Sequence, residues 1–207
     1  MTQYESTLEE RSTPQQRMRL SAISALVGGG LLMITGIALL SVLSEAEFAF
    51  VSPISIVASI LVALGLPAFY ASEHRWFGRL ATAGFWTMTV GWIVATVALP
   101  IAEYGPGVAF IPTLLGWLVA FLGALVLGVA ILRSDTATTP RLGAWLLVAA
   151  LPVGLPFAIA FTTYVMGEGA DPWAGPLLLY GLAWVVFGRY LRSADGTRTP
   201  STEVTSD

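Results

Sequence analysis

Residues 104–132 read YGPGVAFIPTLLGWLVAFLGALVLGVAIL, bounded by Glu103 before and Arg133 after, without a single charge between. A helix climbs about 1.5 Å per residue, so about 20 residues cross a hydrocarbon core about 30 Å thick. This run exceeds that length. Inside lipid every peptide group must find its hydrogen-bond partner within the protein, which leaves helices and closed barrels. A barrel strand alternates polar and apolar side chains, and Leu114-Leu115-Gly116-Trp117-Leu118-Val119-Ala120 does not. The stretch predicts a membrane-spanning helix.

Working outward, the same pattern recurs at Leu20–Ser44, Phe48–Ser72, Leu80–Ala102, Leu142–Gly167 and Pro172–Gly188. The last is shorter, but Tyr190 and Leu191 extend it past Arg189, whose long stem reaches the interface. The expected fold class is therefore all-α: a polytopic membrane protein with six transmembrane helices. Composition agrees, since 56% of the 207 residues are hydrophobic and 11% are charged, with a mean hydropathy of +0.76. A water-soluble domain carries about 25% charged residues. Residues 1–18 are expected to be a cytoplasmic tail, residues 19–192 the membrane domain, and residues 193–207 a disordered cytoplasmic tail rich in Thr and Ser. The first apolar run is too long for the core of a cleavable signal and lacks a small-residue cleavage pattern.

The basic residues set the expected orientation. All ten are Arg. Arg11, Arg17 and Arg19 precede the first span; Arg75 and Arg79 lie between the second and third; Arg133 and Arg141 between the fourth and fifth; Arg189, Arg192 and Arg198 at or beyond the sixth. Every one falls on the same side, which the positive-inside rule places in the cytoplasm, with both termini. The opposite turns carry Glu45, Glu47, Glu103, Glu168 and Asp171 without a base. A multi-pass protein of the cell membrane follows, with the lipid bilayer as its first partner and nothing that suits nucleic acid.

The spans also repeat. Arg19-Leu20, Arg79-Leu80 and Arg141-Leu142 each open an outward helix, and Pro53, Pro112 and Pro176 each open the return helix after an acidic turn. Three tandem helical hairpins are expected, at about 19–78, 79–140 and 141–192, in parallel repetition and with pseudo-threefold symmetry. Such a bundle encloses a central cavity or fills its centre with side chains.

Small residues four apart mark packing faces in lipid. Gly116, Ala120, Ala124 and Gly128 form one stripe, Ser55, Ser59 and Ala63 a second, and Ala150, Gly154 and Ala158 a third. They suit packing within the chain; the alternative is a homo-oligomer face, or one for another membrane protein. Pro152 and Pro156, one turn apart, predict a kink in the fifth span. A broken helix can also turn carbonyls toward a solute. Thr82, Thr89 and Thr96 share one face of the third span, where they bond back to the backbone or line a polar pathway.

The rest of the chemistry is subtraction. Without Cys or Lys there is no thiolate, disulfide or Lys-linked cofactor. The only histidine, His74 in Glu73-His74-Arg75-Trp76, sits at an interface, and one His without Cys makes no ordinary zinc site. No mid-span acid or base is expected, and no hydrolase, metalloprotease or phosphate-binding motif is present. No catalytic, cofactor or metal residue is assigned and no cofactor is expected.

The run Gly128-Val129-Ala130-Ile131-Leu132-Arg133, with Pro140-Arg141-Leu142-Gly143-Ala144-Trp145 after it, resembles a pattern common in uncharacterised six-helix membrane proteins of bacteria and archaea built of hairpin repeats. Gly29-Gly30-Leu31-Leu32-Met33-Ile34-Thr35-Gly36-Ile37 and Pro53 are similar in style to HdeD-type acid-resistance membrane proteins. Tryptophan content and acidic outer turns depart from that style. The resemblance implies a stress-associated membrane protein without established catalysis, and it transfers no site residue. The expectation is a non-enzymatic membrane protein with a structural, stress-associated or partner-binding role. The alternative is a small channel or permease for a neutral or weakly polar solute.

Overall fold

Uncharged runs of this length have one way to satisfy their backbone in hydrocarbon, and they take it. The computed structural model describes residues 2–41, 45–105, 107–167 and 171–196, with side chains for 16–41, 50–105, 108–167 and 171–193. Seven α-helices follow one another among the described residues: α1 (Thr2–Leu40), α2 (Glu45–Glu73), α3 (Arg79–Tyr104), α4 (Phe110–Arg133), α5 (Arg141–Ala150), α6 (Gly154–Phe161) and α7 (Ala174–Gly196). Five are long and apolar enough to cross a membrane, and α5 with α6 and its continuation to Met166 make a sixth span if counted as one. Ile34, Val57, Leu64, Val90, Val97 and Leu122 point outward and are more than two-fifths exposed. Such a surface suits a bilayer and not water.

α1 is helical from Thr2, and its stretch long and apolar enough to cross a membrane opens at Gln16. One boundary differs from the sequence expectation. Pro53 does not open α2; it lies inside that helix, as does Pro67. Pro112 and Pro176 do sit in the first turns of α4 and α7.

Adjacent helices run antiparallel and close into a ring: α1 on α2, α2 on α3, α3 on α4, α4 on α5, α5 and α6 on α7, and α7 back on α1. The closest seams do not follow the tandem hairpins alone. α3 lies tightly on α4, as a hairpin requires, but α1 packs more extensively on α7, from the other end of the chain, than on its hairpin partner α2. Glycines seven residues apart build both seams: Gly29 and Gly36 approach Gly181 and Ala174 of α7, Gly188 approaches Leu26 of α1, and Gly84 and Gly91 approach Gly123 and Gly116 of α4. A methyl on Gly29 would stand 2.6 Å from the carbonyl oxygen of Gly181, and one on Gly116 would stand 2.7 Å from the amide nitrogen of Ala95. Dispersion between backbones at this range drives association where lipid is as apolar as leucine.

The three small-residue stripes are largely consumed inside the chain. Gly116, Ala120, Ala124 and Gly128 are all buried, with Gly116 against α3 and Gly128 against Ala144 of α5. Ser55 and Ser59 are buried and Ala63 is half-buried. Ala150, Gly154 and Ala158 are buried, and Gly154 meets the backbone of Gly175 and Pro176.

The centre of the ring is filled. Trp92, Trp184, Tyr180, Phe69, Phe121 and Phe187 are almost fully buried. Their rings touch in sequence: Phe121 to Tyr180 at 5.4 Å, Tyr180 to Trp92 at 4.7 Å and to Trp184 at 6.1 Å, then Trp184 to Phe187 at 5.8 Å and Phe187 to Phe69 at 5.1 Å. Offset and edge-on pairs of this kind are favourable beyond the area they bury. Trp92 Nε1 donates to the carbonyl of Ser59 at 3.0 Å, tying α3 to α2 across the core.

Candidate functional site: a cavity at the acidic end

Opposite the arginine end, Asp171, Pro172 and Trp173 lead into α7, which opens at Ala174. Asp171 sits ahead of that first turn. Its Oδ1 accepts from the amide of Trp173 at 2.9 Å and its carbonyl accepts from the amide of Ala174 at 3.2 Å. An Asp at a helix N-terminus satisfies free amides and meets the positive end of the dipole. Between this turn and α1 to α4 lies a cavity of about 390 Å³. This is within the range of small-molecule sites.

Its walls are mostly apolar, from Leu39, Val51, Leu99, Leu114 and the rings of Phe110, Trp117 and Trp173. Polar groups are few and placed. Thr35 of α1 and Ser52 of α2 are among its lining residues, and their hydroxyls are buried without a hydrogen-bond partner, as are those of Ser59, Thr89 and Tyr180 away from it. Thr113, also lining, is satisfied by the carbonyl of Ala109 at 3.0 Å. Glu103 and Asp171 supply two carboxyls, and among the described residues no basic side chain lines the space. Burial raises the Asp171 carboxyl above its usual range, and the Trp173 amide offsets part of that. The aromatic floor is continuous with the core: Trp117 and Trp173 lie 5.8 Å apart, and Trp173 stacks on Phe121 at 5.9 Å.

The residues singled out in the sequence fall elsewhere, with one exception. Ser55, read as a packing residue, lines the cavity. Thr82, Thr89 and Thr96 do not. Thr96 bonds back to the Trp92 carbonyl at 2.7 Å, Thr89 is buried and unpartnered, and Thr82 is half-buried. Pro152 and Pro156 are exposed on the outside of the bundle. The helix does break there: α5 ends at Ala150 and α6 begins at Gly154, bent by 58°. Only Pro152 occupies the break; Pro156 sits in the first turn of α6. The kink brings Gly154 onto Gly175, so it serves packing at the start of α7. Of the five acids opposite the arginines, Glu168 and the side chains of Glu45 and Glu47 lie outside the described residues.

A second polar cluster sits at the arginine end. Glu73, the last residue of α2, is fully buried. Ser72 Oγ donates to it at 3.0 Å and Tyr190 OH of α7 at 3.0 Å, with Trp76 Nε1 and the hydroxyl of Thr139 on its other oxygen. Thr138 joins at 3.4 Å and lies 2.7 Å from Tyr190. All these donors are neutral. They tie α2, the α4–α5 loop and α7 into one knot. His74 beside it is exposed, stacked on Tyr70 at 5.4 Å, with Nδ1 3.1 Å from backbone carbonyls. That is an interfacial histidine with local bonds.

Sequence reading missed both sites for the same reason. In the sequence Glu103 and Asp171 stand only as acids of the turns opposite the arginines and Glu73 only as a neighbour of His74, because only the fold brings Thr35, Ser52, Glu103 and Asp171 together. One faint signal was available: hydroxyl side chains near span ends, where lipid-facing positions favour apolar ones. No protein-family model, curated protein or solved structure matches the chain.

Proposed function

We propose that this chain is a non-enzymatic multi-pass protein of the cell membrane, with both termini cytoplasmic, that binds a small, largely apolar molecule in a pocket facing away from the cytoplasm. The observation that carries this is the 390 Å³ cavity, walled mostly by apolar and aromatic side chains with the carboxyls of Glu103 and Asp171 among them, beside a bundle centre filled by aromatic rings. A pocket open at one end over a filled core suits capture better than free passage. The arginine distribution supports the orientation. The style shared with HdeD-type proteins adds a stress-associated role to this reading, in which the ligand is the signal or the cargo.

The test is binding by the purified protein in uncharged detergent. Molecules of cavity size should raise its melting temperature saturably and change tryptophan emission, since Trp117 and Trp173 line the space. Ser55→Leu, which fills the cavity, should abolish both effects while leaving the helical circular dichroism intact. A folded wild-type protein that binds none of a broad panel would refute the pocket.

A second reading, a permease for a neutral or weakly polar solute, is favoured by the 58° break between α5 and α6. Here the cavity is one end state, and the aromatic core with the Glu73 knot forms the barrier. Saturable uptake into proteoliposomes would establish it. Binding without flux would return the protein to a receptor-like or partner-binding role.

A further inference from the structure

Resting on the reading of the acidic-end cavity as a ligand pocket, we propose that its ligand is a small organic cation, an amine or quaternary ammonium on an apolar body. The lining joins two carboxyls, Glu103 and Asp171, to aromatic side chains, with no basic residue among the described ones to neutralise them. A carboxylate partly withdrawn from water is costly, and an opposite charge within a few ångströms relieves that cost. Burial holds the Asp171 carboxyl above its usual range. Its described hydrogen bond, from the Trp173 amide, engages Oδ1 alone.

The aromatic groups select the kind of cation. Trp117, Trp173 and Phe110 line one space, with the two indoles 5.8 Å apart and tilted by 50°. Ring faces attract alkylammonium groups, most strongly when the site excludes water. A metal ion fits poorly. Calcium takes six or more oxygens in a shaped shell, whereas most of this wall is hydrocarbon, and among the described residues no group of three His, Cys, Asp or Glu is placed to hold a metal. An anion meets two carboxyls. A neutral apolar molecule leaves the two carboxyls unserved. A primary or secondary ammonium can donate to a carboxylate, and a quaternary one rests on the rings.

The experiment compares benzyltrimethylammonium with its neutral isostere neopentylbenzene, at matched free aqueous concentration, by calorimetric titration of the purified full chain in uncharged detergent. The cation is expected to bind saturably and roughly tenfold or more tightly than the isostere. Glu103→Gln with Asp171→Asn should remove that preference and leave the isostere's affinity unchanged. Both substitutions preserve shape, and circular dichroism checks the fold. Equal affinity for the two probes in the wild type, or a double variant that keeps the full preference, overturns the cation assignment while leaving the pocket standing. If neither probe binds the folded wild type, the pocket reading falls and takes this inference with it.

Discussion

Glu73 is a buried acid and Asp171 a half-buried one, and their surroundings give them opposite expected behaviour on mutation. Glu73 is surrounded by hydroxyls and an indole N–H, so its carboxyl is the acceptor that organises several donors. Glu73→Ala strands those donors, and a buried donor without a partner costs about 1–3 kcal/mol. A lowered unfolding midpoint in detergent is expected, with Glu73→Gln milder because one carbonyl oxygen remains. An unchanged midpoint for the alanine variant would show that the knot does not hold α2, α7 and the α4–α5 loop together. Asp171 is under-served instead. Burial raises its carboxyl above the ordinary 3.8, so the folded state holds the proton more tightly than the unfolded chain. Its contribution to stability is therefore full below 3.8 and is lost as pH rises through the raised value. Asp171→Asn should melt higher than the parent at pH 7, with the gap closing on acidification. Glu103 also lines the cavity, so Glu103→Gln is carried in both proteins to isolate Asp171. A gap that widens toward low pH would contradict the assignment.

At the scale of the helix, glycine position matters more than glycine content. Gly29 and Gly30 are neighbours on α1, yet a methyl on Gly29 meets the backbone of α7, while one on Gly30 has nothing within 4 Å. Gly29→Val is expected to cost about 1–3 kcal/mol through forced separation of the seam, and Gly30→Val to lie within about 0.5 kcal/mol of the parent. Equal effects, read by thermal unfolding in one detergent, would mean the seams are not where the stability lies. The broken fifth span belongs to this scale too. Pro152 was legible as a kink, but its direction was not, since it depends on Gly154 seating against Gly175.

For the whole molecule, orientation can be measured cleanly because the chain has no cysteine. Val108→Cys lies at the acidic end and Ser134→Cys at the arginine end, next to α4's two termini. A membrane-impermeant maleimide added to intact cells should label the first and spare the second until the membrane is opened. Labelling in the reverse sense would turn the pocket toward the cytoplasm.

The sequence by itself determined that the chain is helical and apolar enough for a membrane, where each span runs to within a few residues, and at which ends the charges gather. These are local consequences of hydrocarbon as a solvent, which acts on each segment separately. Helix pairing was not local. The heptad-spaced glycines on α1, α3, α4 and α7 are visible in the sequence, but nothing there says that α1 closes on α7 or that the centre is packed with rings. Contact in lipid is won by backbone approach, which is a property of two surfaces meeting and not of either surface alone. The cavity is decided last: Thr35, Ser52, Glu103 and Asp171 come from four separate segments, and only the packing of those segments brings them round one space.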